Sequence, residues 1–177
     1  MTAQVALYPG TFDPIHYGHV DIALRAAVLF DRLVVAVYNR PNKDLLFSSE
    51  ERLVLAKDTF DSVPNIEVRE YSGLTVDFAQ SVGAQVVVRG LRVISDFELE
   101  YQMALTNNQL APDLETICLM TRVENAFISS SIIKEIFMLG ADVSDMAPPA
   151  VREALKRKRE QLVRHNKPGP PVVSLRD

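Results

Sequence analysis

The stretch Val5-Ala6-Leu7-Tyr8-Pro9-Gly10-Thr11-Phe12-Asp13-Pro14-Ile15-His16-Tyr17-Gly18-His19 decides how this chain is read. Its first four residues are an apolar, strand-prone run. A Pro-Gly turn breaks that run, and the polar segment behind it ends on Gly18 and His19, where a helical pattern begins. Strand, turn and helix in that order open a βαβ unit. The remaining chain keeps the alternation, with apolar runs at 33–38, 66–71, 85–89 and 115–120 separated by helical patterns. The runs are rich in Val, Ile and Leu with little alternation, as expected of parallel strands covered on both faces. The expected fold is therefore α/β: a single, Rossmann-like domain on a doubly wound, five-stranded parallel sheet.

Helix boundaries carry their own marks. Ser48 followed by Glu51 is a capping box that opens a helix through residue 60. Residues 75–82 stop at Gly83 and residues 129–139 at Gly140, glycine being favoured just past a helix end. Residues 96–108 form an amphipathic helical pattern, and Pro148-Pro149 starts a last helix of about fifteen residues. The domain is expected to span residues 1–164, with 165–177 a loose tail, because Lys167-Pro168-Gly169-Pro170-Pro171 cannot continue a helix.

With 177 residues, 47% of them hydrophobic, the chain is long enough to bury a sizeable core. A net charge of −4 argues against a general nucleic-acid binder or an anionic-membrane binder. Lys156-Arg157-Lys158-Arg159 reads either as a nucleic-acid patch or as a solvated helix face; interleaved Glu153 and Glu160 favour the second. No run approaches a membrane span, and the N-terminus lacks a signal-peptide pattern, so the protein is expected to be cytoplasmic. The single cysteine, Cys118, lies in an apolar run and is expected to be a buried strand residue.

Polar chemistry collects behind the strands, at the sheet edge where open parallel sheets bind ligands. His16-Tyr17-Gly18-His19, Asn39-Arg40-Pro41-Asn42-Lys43, Ser72-Gly73-Leu74-Thr75, Arg89-Gly90-Leu91-Arg92 and Phe127-Ile128-Ser129-Ser130-Ser131 all follow strands. Glycines at turns account for part of this. They do not account for His19, Lys43, Arg89 and Arg92 gathering on the same edge, which points to a polyphosphate site. The serine run offers hydroxyls and free N–H groups at a helix start, although serine is also an ordinary N-cap. P-loop, Gly-x-Gly-x-x-Gly and zinc spacings are absent. His16 and His19 read as a phosphate-facing pair, a metal pair without a third ligand, or a structural cap.

Pro9 to Pro14 with His16-x-Gly18-His19, and Ile128-Ser129-Ser130-Ser131-Ile132-Ile133-Lys134, resemble the two signatures of the (H/T)-x-G-H nucleotidyltransferase superfamily. Arg89-Gly90-Leu91-Arg92 followed by Asp96-Phe97-Glu98-Leu99-Glu100-Tyr101-Gln102-Met103 is similar to the bacterial phosphopantetheine adenylyltransferase family. That family usually carries Thr where this chain has His16. The resemblance implies transfer of the adenylyl group of ATP to 4'-phosphopantetheine, giving dephospho-coenzyme A and pyrophosphate with Mg²⁺. It implies His19, Lys43 and Arg92 as catalytic residues. Thr11, Phe12, His19, Gly90, Leu91, Arg92, Glu100, Asn125, Ala126, Phe127, Ile128, Ser129, Ser130 and Ser131 would bind ATP. The acceptor would be held by Thr11, Lys43, Thr75 and Arg89, and no residue is assigned to a metal. A homohexamer and feedback inhibition by coenzyme A are further implications. The alternatives are an adenylyltransferase acting on nicotinamide mononucleotide, which shares both superfamily signatures, and a nucleotide-binding module without catalysis.

Overall fold

The computed structural model of the protein describes residues 4–40 and 45–164. In chain order the elements are β1 (Val5–Gly10), α1 (Tyr17–Leu29), β2 (Arg32–Tyr38), α2 (Ser49–Phe60), β3 (Ile66–Tyr71) and α3 (Thr75–Ser81). They continue as β4 (Val86–Leu91), α4 (Ile94–Leu110), β5 (Glu115–Met120), a 3₁₀ turn at Val123–Asn125, α5 (Ser130–Met138) and α6 (Pro149–Arg164). The five strands are parallel in the order β3-β2-β1-β4-β5. The chain thus winds outward on one side of β1, then crosses back to β4 and winds outward on the other. That reversal places a crevice between the carboxyl ends of β1 and β4.

The register widens the crevice. β1 pairs with β2 from Val5 through Gly10, but with β4 only at Ala6 and Leu7. Beyond Leu7 the two strands part, while β4 stays paired with β5 as far as Leu91↔Met120. Where the ladder stops, a side chain spans the gap: Arg89 Nη1 donates to the Pro9 carbonyl at 2.8 Å.

Two cores lie on the two faces. Ala6, Tyr8, Leu33, Val35, Val37 and Val88 point toward α1, α2, α5 and α6, while Val5, Leu7, Val34, Ala36 and Val87 point toward α3. The apolar runs of the central strands serve both faces, as doubly wound strands must. The outer strands depart from the sequence expectation: most of β3 and β5 is partly or fully exposed, and Cys118 is exposed rather than buried. An edge strand has one neighbour only, so an apolar run alone does not distinguish it from a central strand.

The Ser48–Glu51 capping box forms as read, with Glu51 N–H donating to Ser48 Oγ at 3.2 Å and Ser48 N–H to Glu51 Oε2 at 2.8 Å. Helix α4 is not the amphipathic helix expected. Its buried residues are polar, Glu100 and Asn107, whereas Phe97, Leu99, Tyr101, Met103 and Leu105 are all exposed. The basic run on α6 is largely consumed within the fold. Lys158 pairs with Glu51 at 2.8 Å and lies over the Phe47 ring, Arg159 lies over Phe137, and Lys156 pairs with Glu153. Among the described residues, no helix is long and apolar enough to cross a membrane. The expected tail at 165–177 lies outside the described residues.

Candidate active site

A cavity of about 670 Å³ opens at the β1/β4 crevice, a size that accommodates a nucleotide. Its floor is the loop after β1. A Cβ at Gly10 would sit 2.7 Å from Cζ of Phe12, closer than any side chain tolerates, so only glycine lets the Phe12 ring fold back under the strand end. Phe12 itself is in the left-handed region at φ 51° and is buried. Its ring meets Tyr8 and His19 edge-on, at 5.6 and 5.0 Å between centroids, and so helps fix the imidazole of His19.

The two histidines divide their labour through the start of α1. His16 is the N-cap: its Nδ1 accepts from Gly18 N–H at 3.1 Å, and its own backbone N–H donates to Nδ1 of His19 at 3.3 Å. Occupying Nδ1 of His19 leaves Nε2 to carry the ring proton. The rings stack at 3.7 Å. Burial, and secondarily the charge of Arg92, lower the His16 pKa to about 3, so the inner ring is neutral at physiological pH. His19 lines the cavity in the first turn of α1, at the positive end of the helix dipole.

From β4 come the two arginines. Arg89 makes a two-pronged pair with Glu100, Nε to Oε2 and Nη2 to Oε1, both at 2.6 Å. Burial opposes its charge, but the Glu100 carboxylate outweighs that and raises its pKa. Arg92 is held by Asp96 and by the Ile128 carbonyl, at 3.1 and 3.2 Å. Burial works against the Asp96 anion, and the hydrogen bonds from Arg92 prevail, holding its carboxyl below the usual range. Gly90 between them permits close packing of α1, since a Cβ there would lie 3.1 Å from Ile22 Cγ1.

The opposite wall is the start of α5. Ser129 is its N-cap, accepting from Ile132 N–H at 3.2 Å, and the Ser130 hydroxyl donates to the Pro14 carbonyl at 2.9 Å. Lys134 reaches back to Asp13 at 2.7 Å, and the same carboxylate accepts from the N–H groups of Leu46 and Phe47.

The structure therefore brings Thr11, Phe12, His19, Arg89, Gly90, Arg92, Glu100 and Ser129 to Ser131 around one cavity. Leu91, Asn125, Ala126, Phe127 and Ile128 do not line it: Leu91 and Ile128 are buried, and Phe127 is exposed. Thr75 stands apart at the start of α3, its hydroxyl 3.1 Å from that of Tyr71. Lys43 lies outside the described residues. Sequence reasoning gave no role to Asp13, Lys134 or Asp96, although Lys134 closes the second signature.

Comparison with known proteins bears on this arrangement. Residues 7–136 match the cytidylyltransferase-like family model. The chain is 51% identical over 162 residues to the phosphopantetheine adenylyltransferase of Thermomicrobium roseum, covering 90% of this chain and 97% of that protein. It is 50% identical over 153 residues to the one from a Roseiflexus species (strain RS-1), with 86% and 96% covered. This chain belongs to the phosphopantetheine adenylyltransferase family. Its fold is shared with a Vibrio parahaemolyticus protein provisionally assigned as a nicotinate-nucleotide adenylyltransferase. There the TM-score is 0.68 at 17% identity, with 88% of this chain and 99% of that one covered, so the likeness concerns the fold alone.

Proposed function

We propose that the protein transfers the adenylyl group of ATP to 4'-phosphopantetheine, releasing pyrophosphate and forming dephospho-coenzyme A. The observation that carries this reading is the single cavity in which His19, Arg89, Arg92 and the α5 N-terminus converge, in a chain about half identical to relatives bearing that name. An oxygen of the acceptor phosphate attacks the α-phosphorus of ATP, a P–O bond forms to it, and the bond to the β-phosphate oxygen breaks. A phosphate monoester, with a second pKa of about 6, is already largely dianionic at neutral pH and is its own nucleophile. No side chain need remove a proton. The barrier is charge repulsion and orientation, which fixed donors lower.

In this scheme His19 Nε2 and Arg92 stabilise the oxygens of the α-phosphate, with Lys43 beside them on the strength of the family motif. The serine run and Lys134 take the β- and γ-phosphates, and Thr11 and Arg89 face the acceptor. Magnesium would accompany ATP and neutralise part of the triphosphate charge. Among the described residues no group of three or more His, Cys, Asp or Glu could hold a metal ion. The carboxylates nearest the cavity, Asp13, Asp96 and Glu100, are engaged by Lys134, Arg92 and Arg89. The apolar, exposed α4 suits contact between copies in a cytoplasmic homohexamer, which the sedimentation mass reads directly. Coenzyme A resembles the product and is the proposed feedback inhibitor.

Pyrophosphate release from ATP with 4'-phosphopantetheine, with nicotinamide mononucleotide and with no acceptor tests the reaction. Release with the first alone is expected; release with the second, or with neither, would overturn it. Within the site, Arg92→Ala is expected to weaken ATP by about 10–100-fold and Arg89→Ala to weaken 4'-phosphopantetheine similarly, the scale of one lost charged hydrogen bond. Because Arg89→Ala strands the Glu100 carboxylate, the Arg89→Ala/Glu100→Gln pair is measured beside it. Titration calorimetry with each ligand checks the division, which identical losses for both arginines would refute.

A further inference from the structure

Arg52, on the first turns of α2, is 0% exposed, the most deeply buried charged side chain described. Its partners are all carbonyls. Nε donates to Phe47 O at 3.3 Å, and Nη1 donates to Thr11 O at 2.6 Å and Tyr38 O at 2.7 Å. It is in no ion pair among the described residues, and Nη2 has no hydrogen-bond partner among them. Taking a guanidinium out of water costs more than neutral carbonyl acceptors return, and an apolar side chain of similar volume would serve the core better. The longer-range attraction of the Asp13 and Glu70 carboxylates offsets part of that cost, and what the guanidinium grips supplies a further reason for its presence.

What it grips is informative. Thr11 and Phe12 line the cavity and Arg52 does not, so the guanidinium stands behind the cavity wall. The peptide between Thr11 and Phe12 is trans and planar, so its carbonyl and its N–H point in opposite directions. With Thr11 O drawn back onto Arg52, the Phe12 N–H points away from the guanidinium, and it donates to nothing among the described residues. Phe12 occupies the left-handed region at φ 51°, where a non-glycine residue sits only if its surroundings hold it. Asp13 secures the other side of the same loop, accepting from the N–H of Phe47 whose carbonyl Arg52 takes. The loop is thus clamped from both ends against residues 46 and 47.

We propose that Arg52 is a positioning residue: by holding the Thr11 carbonyl it sets the Thr11–Phe12 peptide so that the Phe12 N–H is presented to a phosphate oxygen of ATP. The proposal rests on the adenylyl-transfer reading. It distinguishes Arg52 from a structural residue by which part of the nucleotide feels its loss.

Arg52→Met and Arg52→Lys are compared with the unaltered protein by calorimetric titration with adenosine, inorganic pyrophosphate and ATP, alongside steady-state kinetics. Adenosine should bind all three proteins within about twofold, while pyrophosphate and ATP should bind Arg52→Met at least about tenfold more weakly, with kcat reduced on a similar scale. Arg52→Lys, which keeps a donor able to reach one carbonyl, should fall between. With ¹⁵N-phenylalanine labelling, the Phe12 amide should shift on adding pyrophosphate to the unaltered protein and not to Arg52→Met. Unchanged pyrophosphate binding, or equal losses for adenosine and pyrophosphate, would overturn the proposal and leave Arg52 a structural residue. If Arg52→Met does not fold, the adenosine-to-pyrophosphate ratio in Arg52→Lys decides. An unaltered protein that binds ATP but forms no dephospho-coenzyme A would refute the reaction without touching the binding comparison.

Discussion

His19→Ala is expected to lower kcat by about 10²–10³-fold, the scale for removing one preorganised donor to a developing oxyanion, while ATP affinity changes far less. The asymmetry follows from how the ring is held. His16 N–H occupies Nδ1, Phe12 packs against the ring edge-on, and His16 stacks on its face, so Nε2–H is fixed before substrate arrives. A donor fixed at the place where charge develops favours the transition state over the ground state. His19→Asn, which keeps a donor on a shorter side chain, should recover part of the loss. Single-turnover kinetics at saturating ATP separate the chemical step from binding. A variant with near-normal kcat and only a raised KM would make His19 a binding residue and overturn its catalytic assignment.

The sheet was legible because alternating apolar runs and capped helices are local signals. Ser48 with Glu51 and the serines before α5 mark helix starts through hydrogen bonds that span three residues. Burial was less legible. Cys118 and the exposed face of α4 depend on which strand lies at the edge, and that follows from the order β3-β2-β1-β4-β5 rather than from any one segment. His19, Arg89 and Arg92 could be read as a group because they lie at or just behind the carboxyl ends of strands, whereas Lys134 on α5 and the anionic partners could not. Asp13 meets Lys134 across 121 positions, and Arg89 reaches the Pro9 carbonyl across 80. Arg52 looked like an ordinary helical arginine, since nothing near it in sequence announces that Thr11 and Tyr38 will present their carbonyls to it. Thr75, assigned through the family pattern, opens α3 just behind β3, its hydroxyl beside that of Tyr71, so it follows an outer strand rather than one of the two that frame the crevice.

The other large effect concerns acid. His16 is neutral in the folded protein, with its pKa lowered to about 3, whereas an unfolded histidine titrates near 6.5. As pH falls below about 6.5 the unfolded chain takes up a proton that the folded chain refuses. The stability is therefore fully present above that pH and is lost as pH falls toward the folded value, by about 1.4 kcal/mol per pH unit and on the order of 5 kcal/mol in all. His16→Thr should abolish this component while keeping a capping oxygen for the Gly18 N–H, so near pH 7.5 the cost should be within about 1 kcal/mol. Below pH 5 the ranking should reverse, with the variant the more stable protein. Urea midpoints from pH 4.5 to 7.5, at one protein concentration so that assembly is held constant, make the comparison; parallel curves would show that His16 takes up no proton on unfolding. So weakly basic a ring, with its Nδ1 committed to the Gly18 N–H, is poorly suited to proton transfer. Profiles of kcat/KM against pH should accordingly keep one shape in the unaltered enzyme and in His16→Thr, rising only with ionisation of the acceptor phosphate near pH ~6. A limb near neutrality that vanished in the variant would make His16 a general base, and the attacking phosphate would then not be its own nucleophile.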